Sequence, residues 1–396
     1  MKIRTLLLLV AAGALAAVSC AKADSSRADL IAGPLQDEII RKAEADLTAE
    51  PVTITAFPAA ESKGGLHDFF SEADYSWPDP ANPGGPYIGR DGYSYMDNFR
   101  AHRNALNRMS VIVGNLASAW ILTGDRKYAD AILPHVRAWF VDEETMMNPN
   151  ALYAQAVHGK FDGRSYGIID TIHLIEVFKA LSRMEEAGLV DQETLDKTKS
   201  WCWQYCDWLT SHPQGIAELR AGNNHGVCWA MQVAMFAQYA GWTELVEFAK
   251  IRFKYKYLPE MAQDGSFPME IERTKGYGYS LFNLDAMVGL CQILSTPEDD
   301  LWSFVTDNGR TIRQALDFMF PYIQDTSTWI KEPDVTHWED WPVAQPSLIF
   351  AWNRFRGEKD FDAEAYYQTW LGLEHFPTDN EVIRNLPLRN PVLWLL

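Results

Sequence analysis

Two short segments of the sequence carry side chains that together could transfer protons. The first is Asn223-Asn224-His225, which directly precedes an apolar run with helical spacing from Val227 to Tyr239. Asn is a favoured helix N-cap, so one of the two asparagines has a structural explanation. His225 has no such explanation, and the dipole at a helix N-terminus disfavours the imidazolium. We therefore predict a neutral His225 that can accept a proton or polarise a substrate.

The second segment contains Arg273 and Tyr279, with Gly276 and Gly278 between them. Glycine interrupts a helix, and the apolar spacing begins only after these two, so Tyr279 should lie near a helix start. On a continuous helix Arg273 would lie about 240° away from Tyr279, but a turn at the glycines can fold it back. A cation and a helix N-terminus both favour phenolate, so we expect a lowered pKa that makes Tyr279 a usable base.

Together these side chains suit β-elimination at a uronic acid. Removal of the proton at C5 requires the neighbouring carboxylate to be neutralised, which the donors of Asn224 and Arg273 would do. A base takes the C5 proton, and an acid protonates the leaving O4. Where these groups lie on the same face of the sugar, as in 1,4-linked mannuronate or glucuronate, Tyr279 could do both. This chemistry calls for no metal and no cofactor.

The rest of the chain is predicted to be helical nearly throughout. From Asp97 to Gly124 apolar residues recur every three or four positions, and Gly124 ends the helix. Further helical patterns cover approximately 127–140, 165–187, 191–210, 226–240, 242–256, 279–295, 308–322, 342–355 and 361–373. Consecutive helices with short connections and no fixed repeat period favour antiparallel hairpins arranged in a ring. We predict an all-α fold, an α/α toroid or incomplete α/α barrel of about six to seven hairpins, whose inner helices carry their N-terminal loops to one mouth.

Two segments, 64–96 and 325–342, lack helical spacing but are rich in aromatic and polar residues. We interpret them as ordered functional loops at the mouth of the toroid. Trp338 belongs to the second loop, and an exposed indole can stack on the apolar face of a sugar ring. The alternative for any single tryptophan of the 15 in the chain is core packing.

The composition is that of a folded globular protein, since 47% of the residues are hydrophobic and 22% are charged. It excludes disordered, collagen-like and coiled-coil chains. The formal net charge of −18 argues against a nucleic acid or an anionic membrane as partner. A polyanionic substrate would therefore need a local cationic cleft.

The N-terminus has the pattern of an export signal, because Lys2 and Arg4 precede an apolar run too short to span a membrane. Two processing sites compete: cleavage after Ala23, which removes residues 1–23, and a lipoprotein signal, residues 1–19, which leaves Cys20 for lipid attachment. Residues 24–396 then form a single toroid domain that is periplasmic or secreted, or an outer-membrane lipoprotein. No oligomeric state is predicted. Buried thiols, not disulfides or a zinc site, are expected for Cys202, Cys206, Cys228 and Cys291.

From about Asp68 to Leu395 the sequence resembles the alginate lyase superfamily of polysaccharide lyases. The segments that carry the resemblance are Tyr87-Ile88-Gly89-Arg90-Asp91-Gly92, Ala138-Trp139-Phe140, Met147-Asn148-Pro149-Asn150, Tyr153-Ala154-Gln155, Gly163-Arg164, Gly167-Ile168-Ile169-Asp170, Asn224-His225, Arg273-Thr274-Lys275, Tyr279-Ser280 and Pro391-Val392-Leu393-Trp394. The resemblance implies an α/α toroid and eliminative cleavage of a 1,4-linked uronate polysaccharide, an anionic substrate. It implies that Asn224 and Arg273 neutralise the carboxylate, that His225 assists or acts as base, and that Tyr279 is acid and base.

Further side chains are predicted to contact the substrate, on the resemblance or from their place on loops at the mouth. They are Tyr153, Gln155, Arg164, His158, Lys275 and Trp338. The chain departs from the best-known alginate lyases at two positions. His158 stands where a proline is common, and Arg273 is six rather than seven residues before Tyr279. These departures move it toward a branch that contains mannuronan and glucuronan lyases.

The predicted substrate is polymannuronate, as in alginate, with glucuronan as the alternative, because mannuronate and glucuronate differ only at C2. A glycoside hydrolase on the same fold would need paired carboxylates. Its candidates are Asp264, Glu270, Glu272, Glu332, Asp334, Glu339 and Asp340. A glycan-binding protein without catalysis would use the tryptophans alone. The hydrolase hypothesis leaves the Asn-His and Arg-Tyr pairs without a role.

Overall fold

The computed structural model of the protein describes residues 27–376, 382 and 385–396. The predicted export signal, both of its processing sites and Cys20 lie outside the described residues. Nearly all predicted helices are present, with ends that differ from the predicted ones by a few residues. The main helices are α1 Gln36–Asp46, α2 Ala101–Thr123, α3 Arg126–Phe140, α4 Leu174–Glu186, α5 Gln192–Ser211, α6 Pro213–Leu219, α7 Asn224–Ala240, α8 Thr243–Arg252, α9 Gly276–Leu294, α10 Ile312–Gln324, α11 Pro346–Phe355, α12 Ala363–Gly372 and α13 Pro391–Leu395. A π-helical turn, Phe253–Tyr257, follows α8, and Leu258–Glu260 and Pro268–Ile271 form single helical turns.

The helices form two concentric layers. Helices α2, α4, α7, α9 and α11 pack on one another in chain order and form the inner layer. Around them, α1 and α3 pack on α2, α5 and α8 on α7, α10 on α9, and α12 on α11. The short helix α13 packs on α2, α4 and α11, so the end of the chain meets the first inner helix. This arrangement confirms the predicted α/α toroid.

The inner position of α7 follows from its sequence, which is apolar on all sides. Every residue from 226 to 237 is buried, as expected of a helix without a polar face. The cysteines are part of this core, since Cys202, Cys206, Cys228 and Cys291 are buried free thiols. The prediction of structural thiols is confirmed for these four residues.

One predicted helix begins later than expected. The pattern over 165–187 predicted a single helix, but residues Ser165–Thr171 form 3₁₀ turns and α4 begins at Leu174. The carbonyl oxygen of Ile168 accepts hydrogen bonds from Gln232 Nε2, at 3.0 Å, and from Thr171 Oγ1, at 2.9 Å. These side-chain donors occupy the acceptor that an α-helix would use, so the regular helix starts beyond them.

Four short strands support the loop 64–96. Strand β1, Phe70–Glu72, pairs in parallel with β4, Tyr153–Ala156. Strand β2, Ser76–Trp77, pairs in antiparallel orientation with β3, Ile88–Gly89. The first pairing joins the loop to the segment 153–156, and the second lies within the loop, so the loop has the ordered structure predicted for it.

The carboxylate of Glu176 on α4 fastens the C-terminal segment to the toroid. Glu176 is fully buried, and its oxygens accept hydrogen bonds from the backbone N–H groups of Arg389 and Asn390, both at 2.9 Å. Asn390 Nδ2 and Trp394 Nε1 also donate to it, at 2.8 and 3.0 Å. The guanidinium of Arg389 lies 3.9 Å away. A single buried carboxylate therefore accepts four hydrogen bonds and lies beside one cation.

We expect Glu176→Ala to lower the free energy of unfolding by about 3–5 kcal/mol, because it leaves these donors and the Arg389 cation unpaired in the core. Urea unfolding followed by circular dichroism measures the change. The exposed pair of Glu38 and Arg41 provides the control, and Glu38→Ala should leave the midpoint unchanged. Equal midpoints for both variants would show that Glu176 does not fasten the C-terminal segment.

Candidate active site

A cleft of about 770 Å³ opens at the N-terminal ends of the inner helices. Arg103 lies in the first turn of α2, His173 directly before α4, His225 in the first turn of α7, Tyr279 in that of α9, and Gln345 directly before α11. The predicted convergence of inner-helix N-termini on one mouth is therefore confirmed. Helix N-termini carry partial positive charge, so their convergence favours an anionic ligand.

Tyr279 and Arg273 lie against each other in this cleft, as predicted. The Arg273 guanidinium covers the Tyr279 ring, with Cζ 4.3 Å from the ring centroid. The Tyr279 hydroxyl donates a hydrogen bond of 2.9 Å to the hydroxyl of Tyr75, which reaches the cleft from the loop 64–96. Together these contacts hold the phenol in one orientation.

The expected lowering of the Tyr279 pKa is wrong for the protein without substrate. Burial raises the pKa of Tyr279 well above its ordinary value of 10.0, and the neighbouring Tyr75 raises it further. The Arg273 cation lowers this pKa, as the sequence predicted, but its effect is smaller than that of burial. Tyr279 is therefore protonated at neutral pH and available as an acid.

Asp91 holds the catalytic candidate Arg273 in place. Arg273 Nη2 donates to Asp91 Oδ1 at 2.7 Å, and Nε donates to Oδ2 at 3.2 Å. Thr274 Oγ1 donates to the same carboxylate at 2.8 Å. This contact occupies one edge of the guanidinium and leaves Nη1 for a substrate carboxylate.

Helix α9 begins at Gly276, earlier than predicted, because its glycines lie inside the first turn. The backbone N–H groups of Tyr277 and Gly278 donate to the carboxylate of Asp334, at 3.0 and 2.9 Å. A Cβ atom at Gly278 would lie 2.8 Å from Asp334 Oδ2. Glycine is therefore needed for this capping contact, and the helix starts where the carboxylate meets it.

Asn224, the first residue of α7, is fixed by the carboxylate of Glu270. Its backbone N–H donates to Oε1 at 2.5 Å, and its Nδ2 donates to Oε2 at 2.8 Å. Burial raises the pKa of Glu270, and the two hydrogen bonds from Asn224 lower it. Asn223 occupies the N-cap position but makes no capping bond with its side chain. Glu270 is the group that caps α7 and orients the amide of Asn224.

His225 is oriented by a second buried carboxylate. Its Nδ1 lies 2.5 Å from Glu218 Oε1, and Glu218 on α6 is 1% exposed. The Tyr166 ring packs beside the imidazole, with centroids 5.0 Å apart. A proton on Nδ1 shared with Glu218 leaves Nε2 as the acceptor. His225 thus has the arrangement of a general base.

We expect Glu218→Gln to lower kcat about 10- to 100-fold with little change in KM, because a glutamine N–H at Nδ1 favours the wrong tautomer of His225. Initial rates of turnover across the pH range measure the effect. Glu247, which pairs with Lys250 on α8, supplies the control, and Glu247→Gln should behave as wild type. A Glu218→Gln enzyme with wild-type kcat at every pH would remove the role of the carboxylate.

Gln155 and Arg164 meet at one side of the cleft, as predicted. Gln155 has the unusual backbone angle φ of 50°, and its Nε2 donates to Asp170 Oδ1 at 2.9 Å. Arg164 Nε donates to the Gln155 carbonyl oxygen at 2.9 Å. Ser71 binds both Asp170 and Gln155, since its Oγ donates to the Asp170 carboxylate and accepts a hydrogen bond from the Gln155 N–H. The network keeps a strained residue at the cleft surface.

The cleft is locally cationic although the chain carries a formal charge of −18. Six cations line it, against three carboxylates, in the part of the chain that the structure describes. The cations are Arg90, Arg103, Lys160, Arg164, Arg273 and Lys275, and the carboxylates are Asp74, Asp91 and Asp170. This excess supplies the local attraction that a polyanionic substrate needs.

Three predicted substrate contacts lie outside the cleft lining. Tyr153 packs at Gly64, where a Cβ atom would lie 2.6 Å from its ring. The strand register shifts between Tyr153 and Ala156, so Gln155 turns to the cleft without Tyr153. His158 packs against Tyr87, with ring centroids 5.1 Å apart.

The third is Trp338, whose ring packs edge-on against buried Tyr277, with centroids 5.5 Å apart. Trp341 of the same loop lines the cleft in its place, and Lys275 lines it as predicted.

Among the described residues, no group of three or more His, Cys, Asp or Glu side chains is arranged to hold a metal ion. Two of the carboxylates proposed for a hydrolase, Glu270 and Asp334, are committed to helix caps.

Tyr75 and Glu218 are among the site residues that sequence reasoning missed. Tyr75 belongs to the loop 64–96, and the aromatic composition of that loop was the sequence signal that could have identified Tyr75. Glu218 is the acidic residue of a seven-residue helix, and its spacing from His225 matches no known motif. Only the fold shows that α6 delivers its carboxylate to the first turn of α7.

Comparisons with known proteins agree with this geometry. The sequence profile of the alginate lyase family matches residues 53–329. A crystal structure of an alginate lyase from Bacteroides ovatus is 30% identical, with a TM-score of 0.79, over 94% of this chain and 98% of that one. Alginate lyase A1-III from Sphingomonas species A1 is 15% identical, with a TM-score of 0.55, over 90% of this chain and 94% of its own. No curated protein sequence matches the chain significantly.

Proposed function

Because this chain belongs to the alginate lyase family and is therefore a polysaccharide lyase, we propose that it cleaves the 1,4-linked uronate chain of alginate by β-elimination. The observation that carries the proposal is the meeting of Arg273, Tyr279, Asn224 and His225 in one cationic cleft. Among uronates, polymannuronate is the proposed substrate, and glucuronan is the alternative because it differs only at C2. The family match and the similar solved structures support alginate, and glucuronan is supported only by the sequence departures at His158 and Arg273.

In the proposed reaction, the substrate carboxylate lies between Asn224 and Arg273. Asn224 Nδ2 and the Nη1 edge of Arg273 donate to it. These donors stabilise the negative charge that develops when C5 loses its proton. Since both groups are fixed beforehand, by Glu270 and Asp91, little reorganisation is needed in the transition state.

Tyr279 supplies the proton for the leaving group. Its raised pKa keeps the hydroxyl protonated, so it can protonate O4 as the C4–O4 bond breaks. The imidazole of His225, with Nδ1 held by Glu218, presents Nε2 as the base. The base takes the C5 proton, and the electron pair of the C5–H bond forms the C4=C5 double bond. The C4–O4 bond breaks at the same time, and O4 leaves with the cleaved sugar as a hydroxyl. No metal takes part in these steps.

The test is an ultraviolet assay of the purified protein mixed separately with polymannuronate, polyguluronate and glucuronan, with a chelator present. Rising absorbance reports the conjugated double bond that elimination creates, and we expect the fastest rise on polymannuronate. The fastest rise on glucuronan would favour the alternative substrate. New reducing ends without ultraviolet absorbance would instead indicate a hydrolase and contradict the proposal.

We also propose that the chain is exported, and is either soluble in the periplasm or medium or anchored to the outer membrane through Cys20. The basic and apolar pattern of residues 1–23 supports export. The intact mass of the mature protein tests the choice. A mass equal to that of residues 24–396 indicates cleavage after Ala23. A mass equal to that of residues 20–396 plus acyl chains on Cys20 indicates a lipoprotein.

A further inference from the structure

The cleft continues inward beyond the catalytic side chains. Asn107 follows Arg103 on α2, and Phe282 follows Tyr279 on α9, each by about one helical turn. Since the N-termini face the mouth, these residues lie about 4.5–6 Å deeper in the toroid. Gln345 and Ile172, which precede α11 and α4, line the cleft at the level of the helix starts. We call the part of the cleft lining formed by Asn107, Ile172, Phe282 and Gln345 the inner pocket.

Two amide side chains in the inner pocket have polar atoms without partners. Gln345 is 0% exposed, yet neither its Nε2 nor its Oε1 has a hydrogen-bond partner in residues 27–376, 382 and 385–396. The Oδ1 atom of Asn107 is likewise buried and unpartnered there. Gln232, an equally buried amide in the core, is bonded through both of its polar atoms. Unmet hydrogen bonds are unfavourable in a protein interior, so Gln345 calls for a partner that enters the cavity.

The inner pocket is suited to sugar hydroxyls rather than carboxylates. An amide both donates and accepts, which matches the hydroxyl group, whereas a buried carboxylate needs a cation. Arg103, the cation one turn nearer the mouth on α2, is already bound by both oxygens of Asp74, each at 2.8 Å. Phe282 and Ile172 complete the wall with apolar surface, which can pack on the face of a sugar ring.

From this geometry we propose that the inner pocket is a sugar subsite in which Gln345 and Asn107 hydrogen-bond the ring hydroxyls of the substrate. The proposal rests on the proposed function, and it adds a residue-level account of substrate choice. Mannuronate and glucuronate differ only in the orientation of the C2 hydroxyl. A rigid amide that meets this hydroxyl distinguishes the two sugars, so Gln345 sets the preference between them.

The first experiment measures binding without turnover. In a Tyr279→Phe background, calorimetry with oligomannuronates compares the enzyme with and without Gln345→Leu, a change that keeps the volume but removes both polar atoms. We expect about tenfold weaker binding, the size of one or two neutral hydrogen bonds. The melting temperature should be unchanged or higher, because an unpartnered polar group is replaced by an apolar one.

The second experiment measures kcat/KM of the single variant Gln345→Leu on polymannuronate and on glucuronan. We expect the ratio between the two polymers to move toward one. Asn353 is the matched control, because it lies on α11, the helix that follows Gln345, and has an unpartnered oxygen but does not line the cleft. Asn353→Leu should keep the wild-type affinity and ratio.

Unchanged affinity and an unchanged ratio in Gln345→Leu would overturn the proposal, since the amide would then bind only water. Equal losses on both polymers together with a lower melting temperature would also overturn it, because they indicate a structural role. Failure of the proposed function gives a different result. The wild-type protein would then form no double bond on either polymer.

Discussion

Tyr279→Phe should reduce kcat for elimination by about 10³- to 10⁴-fold, because it removes the proton donor for the leaving O4. Arg273 still covers an aromatic ring in the variant, and the Asn224 and Arg273 donors remain, so the substrate should still bind. Stopped assays of double-bond formation give the rate, and calorimetry gives the affinity. We therefore expect Tyr279→Phe to lose kcat relative to the wild type, while its dissociation constant for the substrate changes about threefold or less.

Tyr277 provides the matched control, because it lies two residues earlier on the same helix and is also buried. Its hydroxyl donates to the carbonyl oxygen of Tyr322, outside the cleft. Tyr277→Phe should therefore keep the wild-type kcat, even if it lowers stability slightly. A Tyr279→Phe enzyme that retained more than about a tenth of the wild-type kcat would refute an acid role for Tyr279.

The helical framework was largely predictable from the sequence, because helix spacing and helix ends are local properties. The apolar run of α7, for example, identifies a helix with no polar face, and such a helix belongs in the inner layer. Once the inner helices are known to begin at one mouth, the motifs Asn224-His225 and Arg273…Tyr279 fall into the same cleft. Local pattern and topology together account for the catalytic group.

The supporting carboxylates were not predictable in the same way, because they act between elements distant in the chain. Glu270 reaches Asn224 and Asp91 reaches Arg273 across 46 and 182 residues. The pKa of Tyr279 was also predicted with the wrong sign. Sequence shows the nearby cation, whereas the burial that outweighs it comes from the closed fold.

Backbone geometry explains why Tyr153 and Trp338 lie outside the cleft lining. Strand alternation would place Tyr153 and Gln155 on one face. The positive φ of Gln155 and the register shift of its strand break that alternation, and neither is visible in the sequence. Trp338 packs against Tyr277 because the loop 325–342 folds over the start of α9, where Asp334 caps the helix.

Arg273→Ala should lower kcat/KM by about 10²- to 10³-fold, because the substrate carboxylate loses its cationic partner when charge develops at C5. It should also move the pH profile. Arg273 lowers the pKa of Tyr279, so its removal raises that pKa, and the limb controlled by Tyr279 shifts to higher pH. Rates of double-bond formation from neutral to strongly alkaline pH measure both effects.

Asp91→Asn should shift the same limb the opposite way, since the Asp91 carboxylate raises the pKa of Tyr279. The identity of the moving limb separates the two roles of the tyrosine. If Tyr279 is the acid, kcat/KM falls as its hydroxyl ionises, and the descending alkaline limb moves in both variants. If Tyr279 is instead the base, the ascending limb moves, and His225 is left with an assisting role. Limbs that stay fixed in both variants would show that Tyr279 does not titrate in the reaction.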